Sequence, residues 1–190
     1  ITNKIASKKL SKVKNAVIPG FYGNLPNGEI KTFSRGGSDI SGAIVARAVN
    51  ADIYENWTDV DGFMKCDPRI VDNAELIDVL TYKELRELSY MGANVLHPDS
   101  IFPVRKSDIP INIKNTFNPS AKGTFIVPTN HFFEGKWARK ESLITGVAGR
   151  KDFIAIALEK SMMNNELGFA RRVLNVIEDN GLPFEHMPSG

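Results

Sequence analysis

The sequence predicts an α/β fold with a largely parallel sheet, and three observations support this prediction. Short apolar segments with strand character alternate along the chain with helical segments. The helix expected over residues 39–50 is rich in small side chains, which let a helix lie close on a sheet. Polar loops follow several apolar segments, and ligands of open α/β sheets bind at such carboxyl ends of strands.

The N-terminal part of the chain predicts short elements. Residues 1–14 are expected to form the end of a helix or a loop, and residues 16–18 a short buried strand that ends at a Pro-Gly pair. Turn residues are concentrated in residues 21–29, which predicts a hairpin-like excursion. Extended structure is expected to resume over residues 30–33.

The middle of the chain continues the alternation of strands and helices. A strand is expected over residues 51–57. A capping box formed by Thr81 and Glu84 then predicts the start of a helix. Alternating apolar and polar residues predict another strand over residues 109–114, and a further strand is expected over residues 123–127.

Composition changes after that last strand. Residues 128–142 lack the period of a helix or a strand, which suits a linker. Beyond them we expect a strand over residues 153–158, a helix over residues 167–177 with its apolar side chains inward, Val176 included, and a second strand over residues 184–187. A βαβ segment of about fifty residues cannot bury much surface unaided, so we expect it to pack against further sequence or against another copy of the chain.

Composition also excludes several classes of protein. Lysine and arginine total 24 against 22 aspartate and glutamate residues, so the formal charge of +2 implies no broad field for nucleic acid or a membrane surface. Cys66 is the only cysteine, which rules out an internal disulfide and favours a reducing, cytoplasmic setting. No apolar run approaches roughly 20 residues, so no membrane span is predicted. Because Ile1 is not a natural initiator and the last residues read as the middle of a structural unit, we expect a fragment.

The glycine turn before the 39–50 helix is the segment that most clearly indicates a ligand-binding site. Gly36 and Gly37 remove Cβ atoms that would keep a ligand from the backbone, and Ser38 is the expected N-cap of a helix that begins at Asp39. Free amides at such a helix start attract phosphate or carboxylate, and Arg35 adds a planar fork for a carboxylate. The alternative is an ordinary strand-to-helix turn in which Arg35 and Asp39 are solvated.

An acidic loop follows the strand expected over residues 51–57. Thr58 and Asp59 would lie at the carboxyl end of this strand, where a nucleotide or its metal ion could bind, and a surface Asx turn is the alternative. A nearby turn could aim Arg69 at the same edge or leave it solvated. The loop does not match a calcium-binding loop, because alignment with that pattern places Trp57 at a ligand position.

Other motifs of catalysis or metal binding are missing from the sequence. It contains no Walker-type phosphate loop, no cysteines at zinc spacing and no Ser-His-Asp arrangement that spacing supports. His97 has no acidic or histidine partner at ligand spacing, so we interpret it as a structural hydrogen-bonding residue. The residues therefore predict no metal site built from protein ligands alone.

Six motifs, taken in order, resemble those of aspartate kinases in the amino acid kinase superfamily. They follow the order and approximate intervals of that family across most of residues 16–127. The motifs are Val17-Ile18-Pro19-Gly20-Phe21, Ser34-Arg35-Gly36-Gly37-Ser38-Asp39, Trp57-Thr58-Asp59-Val60-Asp61-Gly62, Asp67-Pro68-Arg69, Gly92-Ala93-Asn94-Val95-Leu96-His97-Pro98 and Lys114-Asn115-Thr116. The part after Gly146 is similar to the first regulatory ACT module of the family, and it breaks off after its second strand.

The resemblance implies a fold and a division of the chain. The fold would be a three-layer α/β sandwich of the amino acid kinase type, of which residues 1–127 form the C-terminal, nucleotide-binding part. Residues 128–142 would be the linker, and residues 143–190 an incomplete ACT module of βαβ form. The resemblance also implies ATP-dependent phosphorylation of the β-carboxylate of L-aspartate to 4-phospho-L-aspartate, with Mg²⁺, for lysine, threonine and methionine biosynthesis.

The resemblance assigns roles to individual residues. Asp39 would organise the lysine and magnesium side of phosphoryl transfer, with Arg35 as the second catalytic residue. Aspartate would be held by Arg35, Gly36, Gly37, Ser38 and Asp39. ATP would be bound by Thr58, Asp59, Met64, Arg69, Asn94 and Val95.

The sequence departs from the family pattern at the nucleotide side. In many relatives a lysine that contacts ATP stands at the position of Asn94, and a tyrosine at that of Met64. An asparagine cannot neutralise phosphate. The Lys-Phe-Gly-Gly phosphate loop of the family and its acidic residue for the substrate amine are absent from these 190 residues. We therefore predict that this chain alone has no kinase activity.

The resemblance of the C-terminal part implies feedback regulation. Lysine or threonine, or both, would bind at a dimer interface, so a homo-oligomer is expected. The effector-binding positions would be Met163, Glu166, Gly168, Phe169, Ala170, Phe184 and Glu185. Core packing is the alternative for Met162, Met163 and Phe169, and for the two methionines it is the favoured one. Two other interpretations stay open: a different carboxylate or carbamate kinase of the superfamily, and a non-catalytic regulatory or assembly fragment.

Overall fold

The computed structural model describes residues 2–93, 95–96, 100–135, 137–139, 142–149 and 151–188. The chain divides into two compact units, residues 1–151 and residues 152–190. The sheet and the hydrophobic core belong to the first unit. The domain limits inferred above at residues 127 and 142 stay predictions.

The first unit is an α/β structure. None of the helices in the described parts of the chain is long and apolar enough to cross a membrane. In chain order, the elements of the first unit are α1 (Thr2–Leu10), β1 (Tyr22–Asn24), β2 (Ile30–Thr32), α2 (Gly37–Val49), β3 (Tyr54–Thr58), β4 (Val79–Thr81), α3 (Tyr82–Tyr90), α4 (Phe102–Arg105), β5 (Ile111–Asn115), β6 (Thr124–Val127) and α5 (Thr129–Phe133).

Strands β3 to β6 form a four-stranded sheet in the order β3-β5-β6-β4. β3 pairs with β5 and β4 pairs with β6 in parallel, whereas β5 and β6 pair in antiparallel orientation. The sheet is therefore largely parallel, which confirms the predicted fold class. β1 and β2 form a separate antiparallel hairpin, as the turn residues between them indicate.

Helix α2 packs closely on the sheet because its facing residues are small. Ala43 and Ala46 are buried in the core, and a Cβ atom on Gly42 would lie 2.6 Å from the hydroxyl oxygen of Tyr54 in β3. The neighbouring strand β5 contributes Ile111 and Ile113, both fully buried. Burying side chains of this size stabilises a fold by roughly 1.5–3 kcal/mol each relative to leaving them exposed. Small residues on α2 therefore set the distance between helix and sheet.

Thr124 in β6 holds in place the long segment that connects β3 to β4, residues 59–78. Its hydroxyl accepts a hydrogen bond from the Phe63 amide at 2.9 Å and donates one to the Ile77 carbonyl at 2.7 Å, and the residue is fully buried. A buried hydroxyl with both partners in place avoids the cost of unsatisfied polar groups. Both ends of this segment are thus attached to one point of the sheet.

Helix α3 begins with the predicted capping box. The Thr81 hydroxyl accepts a hydrogen bond from the Glu84 amide, and the Glu84 carboxylate accepts one from the Thr81 amide at 2.8 Å. Glu84 also accepts hydrogen bonds from Arg139 at 2.8 Å and from the Thr145 hydroxyl at 2.7 Å. Burial acts to raise the pKa of Glu84, but these hydrogen bonds, above all the one from Arg139, outweigh it and lower the pKa to about 2.

Replacing Glu84 by glutamine is expected to lower the free energy of unfolding by about 2 kcal/mol at neutral pH. Because the folded-state pKa of Glu84 lies below the ordinary value of 4.5, its carboxylate stabilises the fold above that value. This contribution is lost as the pH falls toward about 2, so wild type and variant should converge in stability over that range. Urea unfolding at several pH values measures the effect. The control is Glu87→Gln, on an exposed part of the same helix, and equal losses from the two substitutions would contradict this role for Glu84.

Outside helix α2, two segments of the first unit differ from expectation. Residues 16–18 do not form a buried strand: Val17 is fully exposed and Ile18 is 44% exposed. No strand in the described residues pairs with them, and the adjacent Pro19 has no amide hydrogen to donate to a ladder. The segment 128–142 contains the short helix α5, which sequence periodicity misses because five residues span little more than one helical turn.

The second unit does not contain the expected strands. Its described residues form a 3₁₀ turn (Met163–Asn165) and helix α6 (Phe169–Asp179), whereas residues 153–158 and 184–187 are exposed and irregular. A strand requires a neighbour for its backbone hydrogen bonds, and no described residue of this unit supplies one. The predicted βαβ arrangement of the ACT module is therefore not formed by these residues.

Helix α6 confirms the helix predicted in this part of the chain. Its half-buried residues recur at the three- and four-residue spacing that places side chains on one face of a helix. They are Phe169, Val173, Leu174 and Ile177. Val176 is 62% exposed and does not belong to that face, contrary to expectation. No residue of α6 is fully buried, in keeping with the small size of the unit.

Candidate functional site

The start of α2 lies beside the carboxyl end of β3. The Asn56 side-chain amide donates a hydrogen bond to Asp39 Oδ1 at 2.9 Å. Gly42, further along the helix, faces Tyr54 at the start of the strand. Helix and strand therefore run in opposite directions, and the first turn of α2 lies at the strand end where open α/β sheets bind ligands. The glycine turn and the polar end of β3 share this edge of the sheet.

Gly36, and not Ser38, occupies the N-cap of α2. Its dihedral angles, φ 58° and ψ 24°, are left-handed, a conformation that glycine adopts readily. The helix then begins at Gly37, so that Ser38 is its second residue and the expected N-cap at Ser38 is wrong. No side chain caps the first turn, which leaves its amides and the positive end of the helix dipole to an anion.

Packing explains why residue 37 is glycine. A Cβ atom on Gly37 would lie 2.8 Å from both the Phe21 and Phe33 side chains. The Ser41 hydroxyl donates a hydrogen bond to the Gly37 carbonyl at 2.7 Å and accepts one from the Phe21 amide at 3.1 Å. The base of the β1–β2 hairpin is thereby fixed to the first turn of α2, and the chain between them carries Arg35.

Three side chains at this helix start have groups open to a ligand. Arg35 and Ser38 are exposed and Asp39 is half-buried. Among the described residues, none forms an ion pair with Arg35 and none hydrogen-bonds Asp39 Oδ2. A guanidinium fork, a hydroxyl and a carboxylate oxygen are the groups that bind a small molecule with both negative and positive charge.

The carboxyl ends of β3 and β5 are joined by hydrogen bonds. Thr58 is opposite Asn115 in the register, and its carbonyl accepts a hydrogen bond from the Thr116 amide at 2.8 Å. The Asn115 side chain donates to Asp61 Oδ1 at 2.9 Å, while the Thr58 hydroxyl donates to Asp59 Oδ1 at 3.1 Å. Thr58 and Asp59, both predicted to contact a nucleotide, thus lie in an ordered turn at the same edge as the start of α2.

Arg69 is in an exposed turn, where it pairs with Asp67. Its guanidinium donates to both carboxylate oxygens of Asp67, at 2.7 Å in the shortest bond, and its backbone amide donates to Asp67 Oδ1. The hydrogen bonds from Arg69 lower the pKa of Asp67 to about 2. In the described part of the chain, the polar contacts of Arg69 are all with Asp67, so the structure does not join Arg69 to the edge formed by β3 and β5.

The remaining residues predicted at the nucleotide side are Met64, Val95 and Asn94. Met64 is half-buried and forms an isolated bridge with Leu76. Val95 packs against the hydrophobic core. Asn94 lies outside the described residues, as does His97. The roles of all four residues stay predictions.

Sequence reasoning missed Tyr54 and Asn56, which contact Asp39. The Tyr54 hydroxyl donates to the Asp39 carbonyl oxygen at 3.3 Å, and the Asn56 amide bonds the Asp39 carboxylate. A signal was available, because alternation along β3 puts Tyr54, Asn56 and Thr58 on one face, and the burial pattern makes it the less exposed face. A polar amide on that face requires a hydrogen-bond partner.

A group of three or more His, Cys, Asp and Glu side chains able to hold a metal ion is absent from the residues that the structure describes. The residues nevertheless fit a magnesium ion that arrives with a nucleotide. Such an ion takes most ligands from phosphates and water and needs only one or two carboxylates from the protein. Asp39 Oδ2 is an oxygen that this chemistry could use.

In the second unit, four of the predicted effector residues, Glu166, Gly168, Phe169 and Ala170, lie at or next to the start of α6. Gly168 is a left-handed N-cap with φ 73°, and Phe169 is the first residue of the helix. The Glu166 carboxylate accepts hydrogen bonds from Lys160 and Arg172, and the bond from Lys160 is the main cause that lowers the pKa of Glu166.

The predicted effector residues lie in three different segments. Met163 is in the 3₁₀ turn and Ala170 is the second residue of α6. Phe184 and Glu185 are exposed in an irregular segment. Their effector role stays a prediction.

The chain is similar to known kinases of amino acids. The model of the amino acid kinase family matches residues 3–115. Aspartokinase 3 of Bacillus subtilis (strain 168) is 44% identical over 174 residues, a match that covers 92% of this chain and 37% of that protein.

Solved structures give the same result. Aspartate kinase of Clostridium acetobutylicum is 54% identical with a TM-score of 0.90, and the match covers 99% of this chain and 42% of that one. Aspartokinase III of E. coli matches in a complex with aspartate and ADP (39% identity, TM-score 0.53, 57% and 24% of the two chains) and in a complex with lysine and aspartate (29%, 0.62, 90% and 37%). This chain therefore spans less than half the length of these proteins.

Proposed function

Since the chain belongs to the amino acid kinase family, we propose that it contributes to an aspartate kinase, which transfers the γ-phosphoryl group of ATP to the β-carboxylate of L-aspartate. The product would be 4-phospho-L-aspartate, an entry to lysine, threonine and methionine. The observation that supports this most is the position of Arg35, Ser38 and Asp39 at the start of α2, beside the carboxyl end of β3. E. coli aspartokinase III has been solved with aspartate and ADP, and an edge of this kind suits both reactants.

Aspartate would bind at the start of α2. The Arg35 guanidinium can hold a carboxylate through two parallel hydrogen bonds, and the amides of Gly36 and Gly37 with the Ser38 hydroxyl can add further donors. Asp39 would interact with the positively charged groups that take part in the reaction, since an ionised carboxylate accepts hydrogen bonds and attracts cations.

The nucleotide would lie along the carboxyl ends of β3 and β5. Thr58 and Asp59 would contact it there, with Arg69 near its phosphates and Met64, Asn94 and Val95 around it. Mg²⁺ bound with ATP would neutralise charge on the phosphates. Phosphoryl transfer needs mainly in-line positioning and charge stabilisation, both of which a fixed helix start and strand edge provide.

The second unit would regulate the enzyme. Lysine or threonine, or both, would bind near the start of α6 in a homo-oligomer, and E. coli aspartokinase III has been solved with lysine. The Glu166 carboxylate accepts one hydrogen bond on each oxygen, from Lys160 and from Arg172, and each oxygen has a further lone pair that an effector ammonium group could use. We place the enzyme in the cytoplasm, since the single cysteine of this chain, Cys66, suits a reducing setting.

A substrate panel tests the proposed reaction. The full-length protein that contains this chain is expected to release ADP with aspartate and much more slowly with glutamate or N-acetylglutamate. Hydroxylamine should trap the product as a hydroxamate, because an acyl phosphate reacts with it whereas simple ATP hydrolysis gives nothing to trap. ADP release without a hydroxamate, or a preference for another acid, would reject the assignment. The 190-residue chain assayed alone is expected to be inactive.

A further inference from the structure

The network around Asp39 links two elements that the sequence places far apart. Asn56 Nδ2 donates hydrogen bonds to Asp39 Oδ1 at 2.9 Å and to the Tyr54 hydroxyl oxygen at 3.1 Å. The Tyr54 hydroxyl donates in turn to the Asp39 carbonyl oxygen at 3.3 Å. The three residues therefore join the first turn of α2 to β3 through both the side chain and the backbone of Asp39.

The direction of these hydrogen bonds follows from chemistry. An ionised carboxylate only accepts, so the NH₂ group of Asn56, and not its carbonyl oxygen, must face Asp39. Both hydrogens of that NH₂ group then have acceptors. The bond engages one carboxylate oxygen, and no described residue hydrogen-bonds the other, Oδ2. Asn56 therefore fixes the rotation of the carboxylate while leaving one oxygen for a ligand.

Tyr54 supports this arrangement through its hydroxyl group, which contacts both Asn56 and Asp39. Burial raises the pKa of Tyr54, with the nearby Asp39 carboxylate acting in the same direction, so the phenol stays protonated and can donate. Its place against α2 depends on Gly42, where a Cβ atom would approach the hydroxyl oxygen to 2.6 Å. A glycine in a helix interior is less favourable for helix stability than alanine. Here it makes room for the hydroxyl that bonds Asp39.

We propose that Asn56, held by Tyr54, is a positioning residue that sets the orientation of the Asp39 carboxylate for phosphoryl transfer. This inference rests on the proposed function, since it assigns Asn56 an effect on the reaction through Asp39. A positioning role predicts a loss of turnover that exceeds any loss of stability. A purely structural crosslink predicts the reverse, a less stable protein whose folded fraction turns over normally.

The test uses substitutions that keep the size of Asn56 in the full-length enzyme. Asn56→Asp and Asn56→Leu are expected to lower kcat for aspartate by roughly 10- to 100-fold, because small misplacements of a catalytic group cost this much. KM for ATP should stay within about twofold, since Thr58 and Asp59 are untouched. Tyr54→Phe, which removes only the hydroxyl, should give a smaller loss in the same direction. The control is Glu55→Gln, an exposed neighbour on the other face of β3 that accepts a hydrogen bond from Trp57, and it should retain wild-type kcat.

The outcomes separate this inference from the proposed function. If the wild-type enzyme shows no aspartate-dependent release of ADP, the proposed function fails. If it does, while both Asn56 variants keep wild-type kcat or lose only melting temperature, the positioning role of Asn56 is wrong. Should the Asn56 variants not fold, Tyr54→Phe decides by the same comparison of kcat with melting temperature.

Discussion

Replacing Arg35 by alanine is expected to lower kcat/KM for aspartate by roughly 100-fold or more in the full-length enzyme. Two charge-assisted hydrogen bonds to a substrate carboxylate are together worth about 3 kcal/mol, and each 1.36 kcal/mol is tenfold in rate. The exposed guanidinium has no ion-pair partner among the described residues, so its removal leaves no protein carboxylate unpaired there. The loss should therefore appear in catalysis and not in stability.

The variant Arg35→Lys distinguishes the effect of the two parallel hydrogen bonds from the effect of the positive charge. A lysine keeps the positive charge but cannot make two parallel hydrogen bonds, so it should recover only part of the lost activity. Lys31→Ala, an exposed change in the neighbouring strand β2, is the control for the loss of one positive charge. Initial rates at varied aspartate and fixed ATP measure all three variants. Equal rates for Arg35→Ala and Lys31→Ala would remove Arg35 from the substrate site.

Replacing Gly123 by alanine is expected to lower the free energy of unfolding by about 4 kcal/mol or more. Its backbone is left-handed with φ 76°, which costs an alanine roughly 1–2 kcal/mol. The added Cβ atom would also lie 2.0 Å from the Ile113 carbonyl oxygen and 2.8 Å from Asn112 Oδ1. Because the Ile113 carbonyl belongs to the backbone of the central strand β5, relief requires β5 and β6 to separate. A loss of this size is a large part of the 5–15 kcal/mol that stabilises a typical domain.

Gly135 provides a matched control for this substitution. It has nearly the same dihedral angle, φ 74°, but an added Cβ atom there would meet nothing within 4 Å. Gly135→Ala should therefore cost only the conformational strain, roughly 1–2 kcal/mol. Urea unfolding followed by tryptophan fluorescence is suitable, because Trp137 packs on Phe125 of β6 with ring centroids 5.0 Å apart. Equal losses in the free energy of unfolding at the two glycines would show that the close approach to Ile113 does not contribute to the destabilisation.

Elements with a strong local signal were predicted well from the sequence. The small residues of α2, the Thr81–Glu84 capping box of α3 and the alternation in β5 depend on neighbours within a turn or a strand, and the structure contains all three elements. The largely parallel sheet also follows from the alternation of strands and helices, whereas the pairing of β3 with β5, which skips β4, does not. Local spacing suffices for such features because it decides which face of an element is apolar.

Features that depend on distant partners were predicted poorly. The strands expected over residues 16–18, 153–158 and 184–187 have suitable side chains but no neighbouring strand among the described residues. The N-cap of α2 falls on Gly36 because a left-handed residue starts the helix earlier than the preference for Ser38 indicates. Propensity describes what a residue favours by itself, and tertiary pairing overrides it.

The sequence by itself determined the order of the motifs, the α/β class and the residues at the glycine turn, since these depend on residue type and local spacing. Only the tertiary structure decided that Asn56 contacts Asp39 and that Gly37 is needed for packing against Phe21 and Phe33. The physical reason is that a hydrogen bond needs its two atoms within about 3 Å of each other. For residues on different elements, the packing of helix on strand sets that distance.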